Sequence, residues 1–429
     1  MSIYNYEQAF GATDKTSSAM RRAIERWFAM YYESTVTEST DPCQRIPYTV
    51  VNKLVKAVFG EYKATVDNPV GQSILKNLEE KKRLAMQLAL VGGSCYIKPC
   101  PAGTGFSFTL IPRNRVLIFG ADGAGNPTDI GLVEKSVWGN SYYTLLERRS
   151  VDAQGYLTIQ NKLYRSQDSR NLGTEVPLQN VPAYKELVES YQFQKPVGSV
   201  GLVAMKLPML NCVDGSNDPV AVYAPAEGLI SNINRNEAQM NGEFARGESR
   251  VFASRDLLDA ELGLQEHLFV GLDDDPERVG LTVFSPQLRE ESFLARKQEY
   301  LRNVETLLGL RRGMLSDTNM EDRTATEITA SAMEYSLTVL DFQQVWQNAV
   351  EDAMALCSLL AELYDLPARD FGKLCFDWGN GVLYDQEKTW ADYMEMVAKG
   401  MLRPEVALAW RFGMPDADEK TIREKFMPN

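Results

Sequence analysis

Between Arg323 and Tyr364 the apolar residues recur in steps of three and four: Ala325, Ile328, Ala332, Tyr335, Val339, Phe342, Trp346, Ala349, Ala353, Leu356 and Leu360. That alternation keeps one stripe on one side of an α-helix, and no Gly or Pro interrupts it before Pro367. At ~1.5 Å per residue the rod is about 60 Å long. A sphere holding a compact chain of this size is about 57 Å across. The pattern therefore predicts an elongated subunit built on a helical spine and suited to packing beside copies of itself.

The remaining patterning divides the chain. Ser17 or Ser18 caps a helix carrying Met20, Ile24, Trp27, Phe28 and Tyr31. Pro47 opens a helix through Val51, Leu54, Val55 and Val58, and a third helix is expected over Gly71–Leu90. Alternating β-rich runs follow at Ser94–Pro99, Phe106–Ile111, Arg115–Phe119, Gly131–Trp138, Ser141–Arg149 and Tyr156–Arg165. They are separated by turn residues, most clearly Ala121–Asn126 and Asp152–Gly155, as in a meander. From Pro225 a helix with Ile230, Ile233, Met240 and Phe244 on one stripe is expected to end in a left-handed cap at Gly247. Short strands at Arg250–Ala253, His267–Leu272 and Leu281–Phe284 precede a second helix. That helix opens at Ser285-Pro286, has Glu290 and Glu291 near its positive end, carries Leu294, Leu301, Val304 and Leu308, and stops at Gly309. Two helices of similar length thus flank a small β-module, like a tip on a stalk. A polar loop, Leu310–Asp322, leads into the spine, and short helical pieces near Glu387–Ala398, Pro404–Trp410 and Asp416–Phe426 end the chain.

Composition narrows the function. The 429 residues are 44% hydrophobic and 24% charged, as in a folded soluble protein. No run reaches the ~20 apolar residues of a bilayer span, and the N-terminus lacks the basic start and apolar stretch of a signal peptide. Six scattered cysteines read as free thiols from a reducing compartment. The net charge is −13 and no dense basic run appears, so a nucleic-acid partner is one the chain is expected to guide and not to hold. The single histidine, His267, has no Ser or Cys at a nearby sharp turn and reads as structural. Gly11–Thr16 lacks the glycine and preceding strand of a phosphate loop and reads as a cap. Cys95 and Cys100 have no second pair to complete a metal site. No cofactor is expected, and no enzyme.

Several stretches, in order, resemble the portal proteins of tailed bacteriophages, specifically the siphophages of Gram-positive bacteria. They are Asn77–Lys98, Leu146–Arg149 through Leu163–Ser166, Leu172–Leu178, and Phe193–Pro196 to Lys206–Asn211. The most specific is Ser285-Pro-Gln-Leu-Arg289 followed by Gly309-Leu310, Thr324–Ile328, Tyr335 and Thr338-Val339. The resemblance implies an α+β portal fold: an α/β wing (1–224), a first stem helix (225–247), a β-containing clip (248–285) and a second stem helix (286–308). A tunnel loop (309–322), a long spine helix returning to the wing (323–382) and a short helical crown (383–429) follow. It implies a ring, usually of twelve subunits, at a capsid vertex of the virion, assembled in the host cytoplasm. The ring conducts double-stranded DNA during packaging and ejection. Its partners are the terminase large subunit, a head-completion or adaptor protein, and the major capsid and scaffolding proteins, with no membrane. The competing classes are another phage head or baseplate structural protein and an enzyme with an unrecognised acidic site.

On that layout the candidate DNA-facing residues of the tunnel loop are Arg311, Arg312, Ser316 and Asn319. The alternative for the arginines is pairing with Asp317, Glu321 or Asp322 of a neighbouring loop. Asn232, Asn234, Asn236 and Asn241 are candidates to line the channel from the first stem helix, or else form an ordinary solvated face. Asp273, Asp274, Asp275 and Glu277 lack calcium-loop spacing and read as a solvated turn, or as a clip surface for a basic partner.

Overall fold

The computed structural model describes residues 3–32, 43–103, 105–123, 125–247, 250–254, 269–272, 281–284, 288–317, 325–366, 369–379, 386–412 and 419–426. In chain order the helices are α1 (Glu7–Phe10), α2 (Ser18–Tyr32), α3 (Ile46–Val58), α4 (Pro69–Glu79), α5 (Lys82–Gly92), α6 (Glu227–Arg246), α7 (Glu290–Leu307), α8 (Ala325–Leu363), α9 (Gln386–Ala398), α10 (Pro404–Arg411) and α11 (Glu419–Phe426). The strands are β1 (Lys63–Val66), β2 (Ser94–Ala102), β3 (Gly105–Pro112), β4 (Val116–Ala121), β5 (Pro127–Trp138), β6 (Ser141–Val151), β7 (Leu157–Ser166), β8 (Thr174–Val176), β9 (Ser190–Gln192), β10 (Val203–Lys206), β11 (Arg250–Ser254), β12 (Phe269–Leu272), β13 (Leu281–Phe284) and β14 (Leu374–Asp377). The class is α+β. Two compact units divide the chain, neither contiguous in sequence: Met1–Asn52, Ala85–Lys98 and Leu110–Tyr335 form one, and Lys53–Leu84, Pro99–Thr109 and Ser336–Asn429 the other.

The centre of the first unit is an antiparallel sheet of order β4-β5-β6-β7-β8, with β9 also pairing to β7. Alternation along β6 sends Tyr143 and Leu145 to one face and Leu146 to the other. The first face packs on Leu178, Val181 and Tyr184. The second, with Leu117, Phe119, Val133 and Tyr164, is covered by Ile3, Tyr6 and Phe10 from the N-terminal turns. The Gly11–Thr16 segment fastens this cover. The buried Asp14 carboxylate accepts hydrogen bonds from Ile118 N at 2.8 Å and from Thr16 N and Oγ1, and Arg21 sits 3.2 Å from its other oxygen. Burial raises the Asp14 carboxyl above its ordinary range despite these partners. Ser17 accepts from Met20 N and so caps α2.

A buried ion cluster ties β6 to its surroundings. Glu147 is held by Lys98 Nζ at 2.5 Å and Arg149 Nε at 2.5 Å, and Arg149 Nη1 donates to the carbonyls of Val200 and Gly201 at 3.1 Å. Burial would raise the Glu147 carboxyl, but the two cations outweigh it and bring it to about 2. Gly93 is required where it stands. Its φ is +80°, and a Cβ there would lie 2.3 Å from the carbonyl oxygen of Pro219.

Helix α8, most of it in the second unit, spans 39 residues, about 58 Å. Its stripe from Val339 through Phe342, Trp346, Ala349, Ala353, Leu356 and Leu360 is buried, while Tyr335 is half-buried. Trp346 Nε1 donates to Tyr62 Oη at 3.1 Å, and its ring meets Phe59 edge-on with centroids 5.6 Å apart. Gln343 Nε2 donates to Val58 O at 3.3 Å. Strands β1 and β14 pair antiparallel, from Lys63↔Asp377 to Val66↔Leu374. The short tail helices are joined by aromatic contacts, Tyr393 on Trp410 and Phe412 stacked on Phe426 at 4.1 Å.

Four expectations are corrected. The single helix over Gly71–Leu90 is two, because the charged run Glu79–Arg83 supplies no apolar stripe to hold register and Lys81 N turns back to Leu78 O. The segment assigned to the spine up to 382 is helical only to Leu363. Asp365 adopts φ +52°, and Leu366 N reaches Ala361 O while Asp365 N reaches Glu362 O, which closes the helix in a Schellman motif before β14. Gly247 is not left-handed (φ −84°). A Cβ there would meet the tip of Leu288 at 2.4 Å and the Glu243 carbonyl oxygen at 2.9 Å. Helix α7 begins at Glu290, with no side-chain cap at Arg289, and Ser285-Pro286 lies outside the described residues.

Candidate functional site

The stalk predicted from the sequence is the pair α6 and α7, which pack on each other and flank a three-stranded sheet of order β12-β11-β13. In that sheet β11 runs parallel to β12 and antiparallel to β13. At the base, Ile230 and Ile233 of α6 and Leu301, Val304 and Leu308 on α7 are buried. Toward the tip the apolar stripes lose their cover. Phe244 is 40% exposed and Leu294 is 43% exposed, although both continue the buried periodicity. Polar pairs hold this part instead. Lys297 Nζ contacts Glu237 Oε2 and Gln44 Oε1, each at 2.9 Å, and Arg289 forks onto Glu243 at 2.8 Å. The Arg289 hydrogen bonds hold the half-buried Glu243 carboxyl below its ordinary range. The first residue of α6, Glu227, is gripped by Arg26 at 2.7 Å and by the Trp27 indole.

The four stem asparagines do not share one environment. Asn236 is buried. Its Nδ2 donates to Phe293 O at 3.0 Å, and its Oδ1 has no hydrogen-bond partner among the described residues, so it joins the two helices and does not form part of an open surface. Asn234 Oδ1 accepts from Gln44 N at 3.0 Å and is half-buried. Asn232 is half-buried and Asn241 exposed. The helical repeat gives the reason: Asn236 falls on the arc of Ile230 and Ile233, which faces α7.

The loop after α7 is equally specific. Gly309 (φ +59°) ends the helix in a Schellman motif, with Leu310 N on Glu305 O at 2.9 Å and Gly309 N on Thr306 O. The Glu305 carboxylate, 1% exposed, then gathers the following residues. Its Oε1 accepts from Gly313 N at 3.1 Å, Leu315 N at 2.5 Å and Ser316 N at 2.9 Å, and its Oε2 accepts from Ser316 Oγ at 2.8 Å. Gln298 adds a second fastening: its Nε2 donates to Asp317 Oδ2 and its Oε1 accepts from Asp317 N, both at 2.8 Å. Hydrogen bonds to a charged group are worth ~1.5–3 kcal/mol net, so these contacts make the segment a fixed feature. Arg311 and Arg312 stay exposed on it. Tyr335 feels Arg311: burial raises its phenol and the guanidinium partly offsets the rise.

Ser316, expected to face DNA, is instead buried on Glu305, because its hydroxyl and amide complete that carboxylate's shell. Asp317, named as an alternative partner for the arginines, is engaged by Gln298. Asn319, Glu321, Asp322, the clip residues Asp273, Asp274, Asp275 and Glu277, and His267 lie outside the described residues. Sequence reading missed Glu305, though a signal was present. Glu305 falls on the apolar stripe of Leu301, Val304 and Leu308, and a lone acid there needs buried donors. Gln44, Gln298 and Lys297 carried no such mark. Among the described residues no group of three His, Cys, Asp or Glu stands close enough to hold a metal ion, and no helix is long and apolar enough to cross a membrane.

No family model matches the chain, and no curated protein matches it. Among solved structures, a chain described as the neck of an empty GTA particle, computed with C6 symmetry, aligns over 96% of this chain and 99% of its own length, at 13% identity and a TM-score of 0.50. A chain from the neck of a native GTA particle, computed with C12 symmetry, aligns over 94% and 96%, at 14% identity and a TM-score of 0.48. The first likeness, at that identity, is one of fold.

Proposed function

We propose that this chain is a portal-type subunit of a phage-like particle: one of a ring of copies around a channel at a capsid vertex, through which double-stranded DNA enters and leaves. The observation that carries the reading is the end-to-end likeness of fold to a neck chain, 96% of this chain against 99% of that one. The neighbour's six-fold axis supports a ring of six or twelve copies, and the portal resemblance favours twelve. The monomer's surface supports assembly as well. Phe244 on α6 and Leu294 on α7 continue helical stripes yet remain exposed, and Leu337 is exposed on the face of α8 opposite its buried stripe, as side chains covered by an adjacent copy would be. With a net charge of −13 and no dense basic run in its sequence, the chain suits a conduit that DNA slides past.

In this reading the subunit works mechanically and performs no chemistry. The α6–α7 stem lines the channel, the sheet between them meets a head-completion protein or the terminase motor, and Arg311 and Arg312 project toward DNA. The sequence stretches that resemble portals of siphophages infecting Gram-positive bacteria give the narrower assignment. Negative-stain imaging and native mass of the purified chain test the proposal. Closed rings with a central hole are expected, and a monomer that stays monomeric at high concentration overturns it.

A further inference from the structure

We propose that Glu305 is the positioning residue for Arg311 and Arg312, clamping the loop so that the pair forms a fixed cationic collar for DNA phosphates. This deepens the proposed function and rests on its reading of the loop as DNA-facing. The two arginines are bracketed on both sides by anchors on one residue. Leu310, immediately before them, is buried and bonds to the Glu305 carbonyl; Gly313, immediately after, bonds to the Glu305 carboxylate, as do Leu315 and Ser316. Gln298 fixes the next residue, Asp317. The backbone of Arg311 and Arg312 therefore has its course set by Glu305, while both side chains remain exposed. Guanidinium forks match phosphate oxygens, and a backbone ordered before DNA arrives gives up less freedom on binding. A carboxylate is well suited to the clamp. It is acceptor-only and takes all four donors at once, three backbone amides and a hydroxyl.

The test uses assembled full-length rings of wild type, Glu305→Gln, Gln298→Ala, Arg311→Ser/Arg312→Ser, and the combination of Glu305→Gln with the arginine pair. Glutamine at 305 turns one acceptor into a donor facing donors, which opens the clamp without changing side-chain size. Tryptic cleavage after Arg311 and Arg312 reads the clamp itself and is expected to be at least ~10-fold faster in Glu305→Gln. Binding of a short DNA duplex across a salt series reads positioning. Glu305→Gln is expected to weaken it and to flatten the plot of log affinity against log salt by about one for each phosphate no longer neutralised. The combined variant is expected to bind no worse than the arginine variant alone, because both changes remove one and the same interaction. Faster cleavage with unchanged DNA binding overturns the proposal, as do additive losses in the combined variant. If Glu305→Gln does not assemble, Gln298→Ala carries both measurements with the same outcomes. DNA binding unaltered by Arg311→Ser/Arg312→Ser would instead remove the DNA-facing role of the loop, and absence of rings in the wild type would remove the portal reading.

Discussion

The sheet of the first unit and the loop after α7 each bury one glutamate, and the two are satisfied in opposite ways. Glu147 lies between two cations, Lys98 and Arg149, contributed by different strands. Glu305 meets no cation among the described residues; three backbone amides and a hydroxyl surround it. A charge pair joins distant segments but leaves uncompensated charge behind if one member is removed. An amide shell fixes the path of a single local segment. The first arrangement ties separate strands together, and the second sets the course of one turn of chain.

The largest effect expected from breaking this contrast is at Glu147. Glu147→Leu strands the buried Arg149 and the partly buried Lys98 and is expected to cost ~3–5 kcal/mol in urea unfolding. Replacing Lys98 and Arg149 by Met in the same chain is expected to recover most of the loss; failure to recover would mean the carboxylate does more than neutralise its partners. The sign of the pH dependence follows. The folded carboxyl sits at about 2 against an ordinary 4.5, so its contribution is complete above pH 4.5 and fades as pH falls toward 2. Over that window wild type should lose stability relative to the apolar triple variant.

An apolar site of the second unit supplies a control for charge. Trp346→Ala removes a fully buried ring together with the donor to Tyr62, and ~3–5 kcal/mol is expected from calorimetry. A loss under ~1 kcal/mol would show that the α8 stripe is not tightly packed. Ser316→Ala deletes one hydroxyl from the Glu305 shell, with ~1–2 kcal/mol expected locally. Native-state hydrogen exchange should quicken at the amides of Gly313, Leu315 and Ser316, with no change in the sheet. The smallest effect belongs to Arg289→Ala. Its pair with Glu243 is exposed, so no shift of the unfolding midpoint is expected, and a measurable shift would promote that pair to a structural role.

Much of the fold could be read ahead of the structure where periodicity is long. The α8 stripe and the strands from Ser94 to Ser166 follow from unbroken three-four steps and clean alternation. The end of α8 could not, because Asp365 does the work usually given to glycine and left no compositional mark. Gly247 misled for the opposite reason: glycine after a helix signals a left-handed cap, but here its φ is −84°. At the candidate site the exposed Arg311 and Arg312 were legible as a pair, whereas the inward turn of Asn236 and Ser316 was not. One pointed toward α7 because of helical phase, the other toward Glu305 because a buried acid needed donors.

What the sequence by itself determined is the succession of elements: a meander, two helices around a small sheet, a polar loop and a long helix. Hydrophobic period is a local property, and each of these runs is long enough to declare it. Tertiary structure alone decided which polar residues are spent inside the molecule and which remain for partners. Satisfying a buried donor or acceptor depends on what lies across from it, and residues as distant in sequence as Gln44 and Lys297, or Lys98 and Glu147, meet only in the folded chain.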